Sequence, residues 1–210
     1  MKKKNISILL NGLIILFTII GIIFMILGIN FMGKSKLLIA NNISVLKFFT
    51  VDSNILIGLT SLIYLLSKKK STTFLSILKL VATTSITLTF LVTALYLVPM
   101  NFHLFFDFYK NSNLFFHLIT PILSIITYLF FDEVKKIKKS YLTWNLLPVF
   151  LYSNFYLTNV LTHMKKNKIS YEYDFYGFMI GGIKSIIIVI PLILFLTFFI
   201  GLLLNKYKKI

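Results

Sequence analysis

Six long apolar stretches, separated by short polar segments, dominate the chain. Each is close to the ~20 residues that an α-helix needs to cross about 30 Å of hydrocarbon. The pattern predicts transmembrane helices at 6–31, 46–66, 74–98, 114–131, 141–161 and 178–204. Because no connection is long enough for a soluble domain, we predict a single all-α membrane domain over residues 1–210, folded as a six-transmembrane-helix bundle.

The composition supports an integral membrane protein. Hydrophobic residues make up 58% of the 210 residues and charged residues 13%, which lies outside the usual range of soluble domains. The first apolar run is too long for the core of a signal peptide, so we expect it to be retained as the first helix. The absence of cysteine excludes disulfides and thiolate metal sites.

The basic residues predict the orientation. All 22 are lysines, and the net charge of +16 would suit a nucleic-acid partner. Thirteen of them, however, lie on the side of the membrane that holds the N-terminus, and only six lie in the opposite loops. This asymmetry predicts that both termini are cytoplasmic. Anionic lipid headgroups account for the lysine clusters, so we predict membrane lipids and no nucleic acid as partners.

Two further charged features lie at or near span ends. We expect Lys79, like Lys47, to extend its side chain to an interface. The acidic pair Asp132 and Glu133 stands beside four lysines and is expected to be a solvated boundary. Neither feature is predicted to be buried.

Polar residues inside the spans concentrate in the predicted outer half. Because polar groups facing lipid are costly, this distribution predicts a polar chamber open toward the outer leaflet. In the inner half the sequence offers little beyond Ser7, Asn11 and the hydroxyl residues at 83–87. The outer set comprises Thr50, Asp52, Ser53, Asn54, Thr93, Tyr96, His117, Thr120, Asn154, Thr158, Asn159, His163 and Lys184.

Thr50 and His117 are the candidates for catalysis. Each lies a few residues inside its span, about 5 Å below the outer boundary at 1.5 Å per residue. A threonine hydroxyl is a weak nucleophile that needs a base, and an imidazole at the same depth could serve. Read singly, Thr50 could be an ordinary helix threonine and His117 a structural hydrogen bonder between helices.

Supporting roles stay open at the level of sequence. The group that orients His117 could be Asp52, Asp107, Asn101, Asn154 or Asn159. An oxyanion could be stabilised by Asn54, Thr120, Asn154 or Lys184. No metal-binding spacing or Gly-rich phosphate loop is present, so we predict neither a metal nor another cofactor.

The chain resembles the bacterial six-pass family often called Pr6Pr. More remotely it is similar to the animal androgen-induced and androgen-dependent membrane proteins, which act as threonine hydrolases. The resemblance is carried by Phe48, Phe49, Thr50, Ser53, Asn54, Thr93 to Tyr96, His117, Thr120 and Pro121, with weaker echoes at Trp144, Pro148, Tyr152 and Tyr171-Glu-Tyr-Asp-Phe. It implies Thr50 as the nucleophile, His117 as its base, and esters of fatty acids and hydroxy fatty acids as substrates.

The sequence therefore favours a hydrolase of lipid esters near the outer leaflet of a bacterial plasma membrane. The alternatives are a non-catalytic protein that binds lipid or transports a small solute, and a structural subunit of a larger membrane complex. No particular protein partner is predicted.

Overall fold

The computed structural model describes residues 2–33, 42–164, 170, 172–179 and 181–209. Within these ranges all regular elements are helical and there is no β-strand. Five of the lysines used above for orientation, Lys34, Lys36, Lys165, Lys166 and Lys168, lie outside the described residues, as does Tyr171. The six longest helices are α1 (Lys3–Leu27), α2 (Phe49–Leu66), α3 (Thr73–Met100), α4 (Ser112–Phe131), α5 (Leu147–His163) and α6 (Ile183–Tyr207).

Five of these helices are long and apolar enough to cross a membrane, which indicates a multi-pass membrane protein. The sixth, α5, has 17 residues and starts six residues later than predicted. The reason is local: Lys139–Leu146 form a 3₁₀ helix, and Pro148 stands in the first turn of α5. Proline favours a helix start because its missing N–H is not needed there. A sixth crossing stays a prediction.

Helix α1 ends earlier than its apolar run. Its last residue is Leu27, and Gly28 adopts a left-handed conformation with φ of 64°. The Gly28 N–H is directed to the Phe24 and Met25 carbonyl oxygens. This is a common way for a glycine to stop a helix, because it has no Cβ to oppose a positive φ. Hydropathy alone does not register that stop.

Helix α3 occupies the centre of the bundle and packs against α2, α4 and α6. About 56% of its most apolar stretch is buried, compared with 28% for α1 and 22% for α6. Its small hydroxyl residues Thr83, Thr84 and Ser85 are fully buried. Small side chains allow helix backbones to approach closely, so this face organises the packing.

Helix α4 contains a π-helical turn at Phe115–Ile119, which carries His117. The neighbouring Phe116 is fully buried and its ring lies directly against Gly21 of α1. A Cβ at position 21 would collide with that ring. The contact therefore fixes how α4 sits on α1, next to the candidate base.

We expect Gly21→Ala to lower the thermal unfolding temperature in a mild non-ionic detergent. Overpacking a filled contact typically costs about 1–3 kcal/mol. Gly12→Ala is the matched control on the same helix, because nothing lies within 4 Å of a Cβ there. Equal unfolding temperatures for the two variants would show that the Phe116 contact does not limit the packing of α1 and α4.

Candidate functional site

Thr50 lies on the wall of a narrow cavity of about 60 Å³ between α2, α3, α5 and α6. The side chain is 5% exposed and stands in the first turn of α2. Most of the wall is apolar or aromatic. Besides Thr50, its polar groups include Thr89, Thr93, Tyr152 and Tyr176. At about 60 Å³ the cavity is smaller than a fatty acyl chain, so a lipid ester would bring only its carbonyl end to the Thr50 hydroxyl.

Tyr176 completes the start of α2, a role that the sequence did not reveal. The N-terminal residue Phe48 provides no side-chain cap, and the Tyr176 hydroxyl accepts the Phe49 N–H at 2.9 Å. The first N–H groups of any helix need a partner from outside the helix. Tyr176 comes from a segment dense in aromatic residues between α5 and α6, where spacing gives no sign of such a role.

The side chains of Thr50 and Tyr152 lie close to this cap. Tyr152 donates its O–H to the Lys47 carbonyl oxygen at 2.6 Å, since a carbonyl can only accept. Both side chains are near enough to Tyr176 to affect its hydroxyl group. Burial raises the pKa of Tyr176 to about 12 and keeps it neutral at physiological pH.

His117 is fixed in one tautomer. Its ring is 2% exposed, and Nδ1 lies 2.9 Å from the backbone carbonyl oxygen of Phe108. Because the carbonyl accepts, Nδ1 carries the proton and Nε2 is the basic nitrogen of the neutral ring. The group that orients His117 in the structure is thus a backbone carbonyl, whereas the candidates from the sequence were all Asp and Asn side chains.

Asn54 joins the two candidate segments. Its amide nitrogen donates to the Thr50 carbonyl at 2.8 Å and to the Phe116 carbonyl at 3.2 Å, and Phe116 directly precedes His117. The backbones that carry Thr50 and His117 are therefore neighbours. Within the described residues, however, no hydrogen bond links the Thr50 hydroxyl to the His117 ring.

Two of the predicted supporting residues have a free acceptor near this junction. The Asn54 Oδ1 atom and the Thr120 hydroxyl are buried, and neither has a hydrogen-bond partner among the described residues. Buried polar atoms are normally paired. Both residues are fully buried and neither lines the cavity, so an internal water molecule is the partner that suits these atoms in this conformation.

Of the predicted site residues only Thr50 lines the cavity, and neither His117 nor any predicted supporting residue does. Asn154 is exposed and bonds to the Phe150 carbonyl of its own helix at 2.7 Å. Lys184 is exposed at the start of α6. Asp52 lines a separate groove between α2 and α5. In the described part of the chain, no three His, Asp or Glu side chains converge as a metal site would require.

At the other end of the bundle, where α1 begins, the expectation of few buried polar groups is wrong. Lys79 and Asp132 form a buried ion pair with Nζ to Oδ2 at 3.1 Å. Both residues are 1% exposed, so Lys79 does not reach an interface and Asp132 is not a solvated boundary. An intramembrane charge is costly alone, and each residue removes that cost for the other.

Amide and hydroxyl groups satisfy the rest of this ion pair. Asn11 accepts from Lys79 Nζ at 2.6 Å and donates to Asp132 at 2.8 Å, which settles the orientation of its amide. Ser7 donates to Asp132 at 2.9 Å, and Ser61 accepts from Lys79 at 3.3 Å. Four helices or helix ends are thereby joined at one point: α1, α2, α3 and the end of α4.

The end of α6 joins the same cluster. Lys208 donates from Nζ to the Asp132 backbone carbonyl at 2.6 Å, and its ammonium lies 5.5 Å from the centre of the Tyr128 ring. Burial lowers the pKa of Lys208 to about 8. Tyr64 accepts the Glu133 N–H at 3.0 Å. These contacts close the bundle around Asp132.

Comparison with known proteins identifies no relative. No family model, no curated protein and no solved structure matches this chain.

Lys79→Met is expected to destabilise the protein strongly, because it leaves Asp132 buried without its cation. Breaking a buried pair from one side typically costs about 3–5 kcal/mol. The double variant Lys79→Met/Asp132→Asn should recover part of that loss in thermal unfolding. The exposed Lys136→Met is the matched control and should behave like the wild type. If Lys79→Met unfolds at the same temperature as the wild type, the ion pair does not stabilise the fold.

Lys208 should make the folding stability of the protein depend on pH in a predictable direction. Between about pH 8 and its unfolded pKa of 10.5, the unfolded chain keeps a proton that the folded protein has released. Folding stability at this group therefore rises with pH in that window. We expect the unfolding temperature of the wild type, relative to Lys208→Gln, to increase from pH 7 to pH 9.5. A difference that is constant or falls with pH would contradict the burial of this ammonium.

Proposed function

We propose that this protein is a membrane-embedded hydrolase that cleaves the ester bond of a lipid, with Thr50 as nucleophile and His117 as base. The observation that carries the proposal is the Thr50 hydroxyl on the wall of an otherwise largely apolar cavity. The mostly apolar wall suits the acyl side of an ester, and among its hydroxyl groups Thr50 is the one whose backbone is joined through Asn54 to the segment that carries His117. The orientation of His117 by the Phe108 carbonyl supports the same assignment, because it leaves Nε2 as the proton acceptor.

The proposed reaction runs through an acyl-enzyme. The Thr50 oxygen attacks the ester carbonyl while His117 Nε2 takes the hydroxyl proton and passes it to the departing alcohol. Water then attacks the threonine ester, gives a proton to His117, and the Thr50 hydroxyl is restored as the fatty acid leaves. Thr120 is the candidate for contact with the oxyanion, because its buried hydroxyl can donate and has no partner among the described residues. The amide N–H groups of Asn54 are already donated to the Thr50 and Phe116 carbonyl oxygens, so Asn54 acts by holding the two segments together.

This chemistry requires a local rearrangement. Within the described residues no hydrogen bond joins the Thr50 hydroxyl to the His117 ring, and His117 does not line the cavity. Asn54 already holds the two backbones next to each other. We propose that entry of the ester brings the two side chains together.

We further propose that α5 is the sixth crossing and that both termini are cytoplasmic. The 17 residues of α5 extend about 25 Å at 1.5 Å per residue, close to the hydrocarbon thickness, and the 3₁₀ helix before it adds to that length. The lysine asymmetry supports the orientation. Thr50 and His117 then lie toward the outer leaflet of what we infer is a bacterial plasma membrane. The motifs around Thr50 and His117 support our proposal that the chain belongs to the six-pass Pr6Pr family.

The second candidate is a non-catalytic protein that binds a lipid or transports a small solute. It is favoured by the position of the Thr50 side chain near Tyr176, with no hydrogen bond to His117 among the described residues. A cavity of about 250 Å³ beside the ion-pair cluster at the opposite end of the bundle also favours it, because transport needs openings at both ends. The activity of variants separates the two candidates.

The hydrolase proposal predicts that Thr50→Ala and His117→Ala each lose at least ~100-fold in rate, because they belong to one catalytic unit. The measurement is release of fatty acid from a panel of long-chain esters, including fatty acid esters of hydroxy fatty acids, in non-ionic detergent. Thr50→Ser should keep part of the activity, since it retains a hydroxyl.

Thr60→Ala is the matched control, because Thr60 is also buried on α2 but lies outside the cavity. It should turn over like the wild type. If wild type and variants are equally inactive while the lipid still binds, the second candidate is supported and the hydrolase is rejected.

A further inference from the structure

A second cavity, a groove of about 380 Å³ between α2 and α5, is separate from the Thr50 cavity. Its lining includes residues that are strongly exposed on the outer surface of the bundle: Leu46 is 44% exposed, Leu151 60% and Phe155 52%. In a membrane protein, apolar side chains with such exposure face lipid. The groove is therefore accessible to a membrane lipid from the side.

Asp52 is the charged group of this groove. It is partly buried on the first turns of α2, and within the described residues its carboxylate takes part in no ion pair and accepts no hydrogen bond. A carboxylate within a membrane span is costly unless a cation accompanies it. Lys79 and Asp132 solve that problem within the chain, whereas the described part of the chain supplies no cation to Asp52.

Aromatic rings surround the same space. Phe49, Tyr152 and Phe155 line the groove together with Asp52. The rings of Phe49 and Tyr152 lie 5.1 Å apart and those of Tyr152 and Phe155 6.0 Å apart. Aromatic rings with a carboxylate are the usual recognition elements for an ammonium ion, above all a quaternary one.

This chain binds one of its own ammonium groups in the same way. The Lys47 Nζ atom lies 5.3 Å from the ring centres of both Phe48 and Phe175. In the groove, the corresponding space among the aromatic rings has a carboxylate and no lysine. The charge complementarity thus favours a cation from outside the chain.

We propose that the groove between α2 and α5 binds a membrane lipid through its ammonium headgroup, with Asp52 as the counter-ion and Phe49, Tyr152 and Phe155 as the aromatic enclosure. The acyl chains lie along the lipid-exposed side of the groove, where Leu46 and Leu151 provide the apolar contact. This site is independent of hydrolysis at Thr50 and would exist in a non-catalytic protein as well.

The groove also adjoins the Thr50 cavity. Phe49 and Tyr152 contribute to both walls, so they form the partition between the two spaces. A lipid held at Asp52 would rest against this partition. A lipid in the groove could therefore affect access to Thr50 by moving Phe49 or Tyr152. Lipid binding in the groove does not depend on this effect.

The test measures which lipid stays with the protein. Wild type is reconstituted in nanodiscs that contain equal amounts of phosphatidylcholine and phosphatidylglycerol with the same acyl chains, and retained lipid is counted by native mass spectrometry. The expected result is a preference of at least ~10-fold for the choline lipid, in the range of a desolvated ammonium contact. Asp52→Asn should abolish the preference, and Phe155→Leu should reduce it several-fold.

Controls make each outcome decisive. Glu133→Gln removes an exposed acid at the other end of the bundle and should keep the preference. Phe155 faces outward, so Phe155→Leu remains informative if Asp52→Asn fails to fold. Equal retention of both lipids by the wild type, or an unchanged preference in both groove variants, would overturn the proposal. Free tetramethylammonium is then added to the wild type with its retained choline lipid. If it displaces that lipid as effectively as added phosphatidylcholine does, the site binds a free cation and the lipid assignment is overturned.

Discussion

A polar side chain within a membrane bundle must find its partner inside the protein, and the Lys79–Asp132 ion pair is the strongest instance of this constraint here. The pair joins helices that are distant in sequence, since Ser7 and Asn11 come from α1 and Asp132 follows α4. Each helix brings one part of a set that is satisfied only when all are in place. The helix ends at that side of the bundle are therefore fixed by charge, while the apolar faces alone would allow them to slide.

The candidate site lies at the opposite end of the bundle. There, most polar groups also have a partner within the protein, but some do not. Tyr176, Tyr152 and the Lys47 carbonyl satisfy the start of α2, and the Phe108 carbonyl satisfies one nitrogen of His117. The groups without a partner at this end include the side-chain oxygens of Asn54 and Asn113, the hydroxyl of Thr120 and the carboxylate of Asp52. In a protein whose other buried polar groups are mostly paired, these remaining groups are where ligands would bind.

The sequence predicts the helices well because apolar runs of membrane length leave few alternatives. It misplaces their ends where a single residue decides, as at Gly28 and Pro148. It also misplaces Lys79 and Asp132. Lys79 lies inside the predicted third span and Asp132 just beyond the fourth, so their depths along the helices do not indicate that they pair. The role of Tyr176 and the carbonyl beside His117 could not be predicted, since both depend on where a connecting segment folds back.

The proposed chemistry can be tested most directly by trapping its intermediate. The wild type, mixed with an activated ester such as p-nitrophenyl palmitate and quenched with acid during the first turnover, should be caught as the acyl-enzyme, because the good leaving group makes acylation faster than hydrolysis of the threonine ester. Peptide mass spectrometry should then find one palmitoyl group on the Thr50 side chain, and none after the same treatment of a Thr50→Ala protein. A palmitoyl group on another residue, or ester hydrolysis that proceeds with no adduct at Thr50, would contradict the account.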